Sequence, residues 1–206
     1  MALVKYNNNS LSSVTSAAGF PAGAMTLIKT LTASSSSTLS FVDGSSDVVL
    51  DNTYPIYLFK FINIHPATDN VKLTVGFRDG GTDYDAVKTT TAFYAYHKED
   101  DSGTGLDYST AYDLAQSTSF QNIAFELGND NDQCCSGTMH LFNPSSTTFV
   151  KHFISNFQNI RYDNMSENDY VAGYCNTTTA IDGVQFKMSS GNIDAGTIKL
   201  YGIKDS

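Results

Sequence analysis

Val71-Lys72-Leu73-Thr74-Val75-Gly76-Phe77 alternates apolar and polar positions without a break. Successive side chains of a strand point to opposite faces, so Val71, Leu73, Val75 and Phe77 line one side, with Lys72, Thr74 and Gly76 on the other. The same period recurs outward along the chain. Tyr57, Phe59 and Phe61 share one side of a second run, and Ile198 and Leu200 alternate with Lys199 and Tyr201 in the last. A helical period is nearly absent. The expected fold class is all-β, an antiparallel β-sandwich of jelly-roll type with about ten to twelve strands and an extended N-terminal arm.

A chain of 206 residues is long enough to bury one good core. Charged residues are only 16% of it, and Ser, Thr, Asn and Gly fill much of the rest, which suits hydroxylated outer faces and tight turns. The formal net charge of −9 repels phosphates, so no direct nucleic-acid contact is expected. No apolar run approaches the ~20 residues of a membrane helix, so no membrane insertion is expected. The opening Met1-Ala2-Leu3-Val4-Lys5-Tyr6 lacks the hydrophobic core of a secretion signal, which points to assembly in a cytoplasm. Three cysteines, two of them adjacent at Cys134 and Cys135, describe no disulfide framework. The sequons at Asn8, Asn164 and Asn176 carry meaning only in a secreting host.

Residues 1–24 are small and polar, anchored only by Leu3, Val4, Leu11, Val14 and Phe20, and are expected to form an extended arm or attachment segment. Residues 25–206 are expected to form a single β-sandwich domain. Strands are placed near 25–32, 38–42, 56–64, 71–77, 91–97, 122–127, 137–143, 148–154, 157–163, 170–176, 181–188 and 197–203. Turn chemistry punctuates them at Asp43-Gly44, Asn52 to Pro55, Pro66 to Asn70, Asp79-Gly80-Gly81, Ser102-Gly103, Asn143-Pro144-Ser145 and Ser190-Gly191-Asn192. Asp79-Gly80-Gly81 reads as a hairpin turn. Leu106 to Ser119 has a weak helical spacing through Ala111, Leu114 and Ala115, and Lys98-Glu99-Asp100-Asp101 reads as a solvated loop.

Groups that carry chemistry are sparse. His65, His97, His140 and His152 each sit in or beside a strand, and no Gly-x-Ser-x-Gly elbow accompanies them. Cys134, Cys135 and His140 make a loose zinc-like trio, but adjacent cysteines rarely point at one ion, so a buried or half-buried thiol pair is the expectation. Asn129 to Asp132 and Asp79 to Asp85 gather oxygen ligands, yet neither has the glycine and terminal glutamate of an EF-hand loop. The stripe Phe93-Tyr94-Ala95-Tyr96-His97 divides between core packing and a contact surface. No catalytic residue, cofactor site or metal site is expected, and the protein is read as non-enzymatic.

Several strings resemble a family of small virion structural or fibre-like proteins of marine tailed bacteriophages. They are Ala24-Met25-Thr26-Leu27-Ile28, the run from Phe61 to Asn70, Asp79-Gly80-Gly81, the run from His140 to Thr148, Phe186 to Asn192, and Gly196 to Ile203. The similarity covers the chain from about residue 24 onward, and Cys134-Cys135 departs from the small or polar residues expected there. The resemblance implies a particle component and supplies no catalytic residues.

The function expected is a capsid decoration (cement) protein on the head exterior, homo-oligomeric and trimeric, with the major capsid protein as partner. The alternative is a tail-fibre or knob module that binds a host surface glycan and docks on tail or fibre proteins. Either would reside in the virion after assembly in the bacterial host cytoplasm.

Overall fold

The stretch 71–77 becomes most of β4 in the structure, a computed structural model that describes residues 24–204. In chain order the strands are β1 (Met25–Thr32), β2 (Leu39–Val42), β3 (Ile56–Pro66), β4 (Val71–Arg78), β5 (Lys88–Lys98), β6 (Thr104–Tyr108), β7 (Gln121–Leu127), β8 (Cys135–Phe142), β9 (Lys151–Ile160), β10 (Met165–Cys175), β11 (Gly183–Met188) and β12 (Ile193–Ile203). The fold is all-β. Among the described residues no helix is long and apolar enough to cross a membrane.

Two antiparallel sheets form a β-sandwich-like pair of layers. The larger has the order β1-β12-β3-β8-β9-β10-β5-β6, and the smaller has β2-β11-β4-β7. The pairings nest. The outermost strands pair as β1 with β12 and, in the other sheet, β2 with β11. Further in, β3 pairs with β8 and β4 with β7. The pair β5 and β6, inserted between β4 and β7, joins the pair β9 and β10, inserted between β8 and β11, to widen only the larger sheet.

The core fills the gap between the layers. Phe41 of β2 and Phe186 of β11 meet Phe59 of β3 edge-on, at ring distances of 5.3 and 5.4 Å. Phe61 touches Phe186 at 4.9 Å and Phe157 of β9 at 4.7 Å. Such edge-to-face contacts add about 0.5–1.5 kcal/mol each beyond the area they bury. The alternation of 71–77 delivers Val71, Leu73, Val75 and Phe77 to this core. Its other face is also covered. Thr74 and Gly76 are buried, the Thr74 hydroxyl donates to the Lys187 carbonyl at 2.9 Å, and the Phe120 ring lies where a Cβ on Gly76 would sit.

Several sequence expectations need correction. The two strands expected at 148–154 and 157–163 are one continuous strand, β9. The helical turns expected within Leu106–Ser119 are absent. Residues 104–108 form β6 instead, and 109–120 run as turns and bends apart from one isolated bridge, between Ser117 and Lys88. Asp79-Gly80-Gly81 does turn the chain, with both glycines at positive φ, but the connection crosses from the smaller sheet to the larger and closes no hairpin. Apart from Ala24, the arm expected over residues 1–24 lies outside the described residues.

Candidate contact surface

The inner face of the larger sheet meets the core, and its outer face is not uniformly polar. Residues directly opposite one another on paired strands share a face. One such row runs Leu27, Tyr201, Leu58, His140, Ile154, Ala172, Thr91 across seven strands, from β1 to β5. Leu58 is buried yet stands apart from the core cluster, as a residue on the outside must. Leu27 and Ile154 are 51% and 50% exposed. Burial pushes the His140 pKa below its usual value, so the row carries no charge at neutral pH.

A neighbouring row runs Thr30, Lys199, Lys60, Thr138, Asn156, Tyr170, Phe93, Tyr108. It begins polar and basic and ends aromatic. Phe93 and Tyr170 stack face to face, 4.9 Å apart at 4° between planes, while each stays about two-fifths exposed. Beside them a groove of about 390 Å³ is walled by Thr89, Thr91, His152, Ile154 and Tyr174, with Gly173 in its floor. Scattered apolar residues are ordinary on a surface, and a contiguous band of this kind makes this face the candidate contact surface.

The aromatic stripe divides between the two faces of its strand. Phe93 faces outward, and Tyr94 packs on the core with its ring 6.3 Å from that of Phe125. The histidines are not gathered into a triad. His97 pairs with Asp101 at 3.0 Å, His65 lies 3.7 Å from Asp194, and His140 and His152 occupy the outer face. Cys135 is buried and Cys134 half-buried, as expected of a thiol pair. No metal-binding group of three or more His, Cys, Asp or Glu side chains occurs among the described residues.

A buried polar cluster is the feature that sequence reasoning missed. Glu167 and Asp169, alternate residues of β10, point inward and are fully enclosed. Asp169 Oδ2 accepts from the Phe125 amide at 2.9 Å and from Asn159 Nδ2 at 2.8 Å, and Asn159 Nδ2 also donates to the Phe125 carbonyl at 3.0 Å. Phe125 lies where the β4–β7 ladder slips, at the free edge of the smaller sheet. Side chains of β9 and β10 therefore satisfy main-chain groups that no strand reaches, and they tie the two layers together.

Arg161 feeds the same cluster. It meets Glu126 at 2.8 Å, Asp163 at 3.0 Å and Glu167 at 3.5 Å, while the Tyr112 hydroxyl donates to Glu126 at 2.7 Å. One guanidinium serves more carboxyls than it can neutralise. Burial, and then the Glu167 charge, hold the Asp169 pKa well above the usual carboxylate range; burial also raises Glu167, against the pull of Arg161. Glu167 Oε1 and Asp169 Oδ1 are buried with no hydrogen-bond partner. A proton on Asp169 would give the pair the donor that two ionised carboxylates lack. Sealed from solvent, the pair acts on the fold and meets no substrate.

At the other end of β10, Cys175 lies in register between Lys88 and Lys151, all three buried. The ammonium groups turn to main-chain carbonyls. Lys88 donates to Ala86 at 2.6 Å, and Lys151 to Thr179 at 2.6 Å and Thr177 at 3.1 Å. Burial lowers both lysine pKa values and pushes the Cys175 thiol up to about 12, so this thiol is no nucleophile at neutral pH.

Comparison of the chain with protein-family models, with curated proteins and with solved structures returns no match.

Proposed function

We propose that this protein is a non-enzymatic structural component of a tailed-bacteriophage particle, a capsid decoration protein built as a jelly roll and assembled as a homotrimer on the head exterior. The nested pairing supports the jelly-roll reading. Rolling a long antiparallel hairpin places β1 beside β12 and β3 beside β8 in one layer, with β2 beside β11 and β4 beside β7 in the other. The virion setting comes from the resemblance of strings such as His140 to Thr148 and Gly196 to Ile203 to phage proteins.

The observation that carries the functional reading is the uncharged band on the outer face of the larger sheet, from Leu27 to Thr91 with the Phe93–Tyr170 stack beside it. The sheet is eight strands wide, about 34 Å at a spacing of about 4.8 Å. A standard interface takes about 800 Å² per partner, so a partner seated on the band would also cover the neighbouring row, Lys60 and Lys199 included. The paired variant Phe93→Ser with Tyr170→Ser tests it, because both rings lie outside the core. Melting is expected to stay unchanged while occupancy on particles falls sharply. Full occupancy would overturn the proposal.

A second reading, a tail-fibre or knob module for a host glycan, draws on the Thr89 and Thr91 hydroxyls lining the groove beside the His152 and Tyr174 rings, which are 6.2 Å apart. Copy number separates the two: many copies on the head favour decoration, and a few on the tail favour the knob.

A further inference from the structure

Ten large apolar or aromatic side chains are exposed among the described residues, and only Phe149 and Tyr162 stand off the outer face of the larger sheet. Eight on one face make a patch, not a scatter. Acids avoid it. The chain has 21 Asp and Glu, yet the row from Leu27 to Thr91 and the row from Thr30 to Tyr108 contain none. Their charge comes from Lys60 and Lys199, which lie directly opposite each other, where like charges repel. Among the described residues neither pairs with a carboxylate. Lys60 leans instead over the Tyr201 ring, 5.6 Å from its centre.

The row from Thr30 to Tyr108 is complementary to its own reverse. Its lysines stand on the second and third strands of the sheet, and Tyr170 and Phe93 on the sixth and seventh. We infer that the free protein is a two-fold dimer in which the outer faces of two copies cover each other with strand order reversed. The axis runs along the strands, above the gap between β8 and β9, and lays β3 over β10 and β12 over β5 of the second copy. Lys60 then meets Tyr170 of the second copy, Lys199 meets Phe93, and Thr138 meets Asn156, each contact made twice. Ammonium groups over aromatic faces attract without any acid. In the apolar row Leu58 meets Ala172 and His140 meets Ile154, so no ion is desolvated there. The other two-fold axis in the plane of contact, along the row, would set Lys60 on Lys60 and Lys199 on Lys199. Repulsion disfavours it. Packed sheets lie about 10 Å apart with strands crossing at about 30°, so the register is tightest beside the axis.

The inference rests on reading the outer face as a contact surface and concerns the free protein, before a homotrimer or a particle claims that face. Sedimentation of the purified full chain is expected to show a monomer–dimer equilibrium. Chains bearing Lys60→Cys are mixed with chains bearing Tyr170→Cys, each in a Cys134→Ser background, Cys135 and Cys175 being buried from the reagent. A bismaleimide spanning about 10 Å should join unlike chains, since like positions lie about 14 Å apart along the sheet as well as about 10 Å in height. Tyr170→Lys sets ammonium against ammonium and should raise the dissociation constant about tenfold or more, with the melting temperature unchanged. Adding Lys60→Tyr rebuilds the pair in reverse and should bring the dimer back. A protein still monomeric at about 1 mM, crosslinks that join like positions, or a double variant no tighter than Tyr170→Lys alone would overturn the inference. A monomer whose Phe93→Ser/Tyr170→Ser variant still loses its place on particles would overturn the dimer and leave the contact surface standing.

Discussion

Asp169 touches no solvent, yet it accepts from a main-chain amide and from Asn159. Its folded-state pKa stands above the unfolded value of roughly 3.9, so its contribution is complete below about pH 4 and is lost as pH rises toward the folded value. Stability should therefore fall between mildly acidic and neutral pH, by at most about 1.4 kcal/mol per pH unit for one proton. Asp169→Asn keeps the shape, supplies a permanent donor toward Glu167 and removes that proton. Urea unfolding at pH 5 and pH 8 should show the wild-type slope flattened in the variant, which becomes the more stable protein at pH 8. Asp169→Ala strands the Phe125 amide and Asn159, and is expected to cost about 2–4 kcal/mol at either pH. Nothing local in Glu167-Asn168-Asp169 distinguishes enclosed acids from solvated ones. The register that sets Glu167 against Asn159, and the edge that Phe125 leaves open, are properties of paired strands.

Strands were legible where alternation met a one-sided environment. The bounds expected for β1 agree with those observed, and those for β4 and β7 differ by one residue. The sequence reads β9 as two strands because its inward positions include Lys151, Ser155 and Asn159 beside Phe153 and Phe157, while Ile154 and Ile160 point outward. Polar groups inside and apolar groups outside erase the period. β6 left no signal for the opposite reason: it is an exposed edge, with Leu106 70% accessible. The outer band was invisible because its members come from seven strands and align only through register. A bulge in β12 supplies a test at this scale. Gly196 sits at φ +114°, and a Cβ there would lie 2.6 Å from the Asn63 carbonyl oxygen. Gly196→Ala is expected to lose about 2–3 kcal/mol in chemical denaturation with little change in the m-value.

For the molecule as a whole, charge and the outer band pull in opposite directions. A net charge of −9 keeps copies apart, while contact through the band, as proposed, would draw them together. Added salt screens the repulsion, with a Debye length of about 10 Å at 0.1 M and about 3 Å at 1 M, and leaves apolar contact in place. Self-association, followed by sedimentation from low to high sodium chloride, should strengthen. Weakening would mean that ion pairs hold the contact.

The neighbouring exits of β1 and β12 carry a mechanical consequence. A tether attached at Ala24 and Lys204 would load the bonds of that ladder one after another, peeling it open as a zipper rather than shearing all its rungs together. The domain would be soft to traction through its ends, and a partner that must put it under load would do better to grip it by its broad flank.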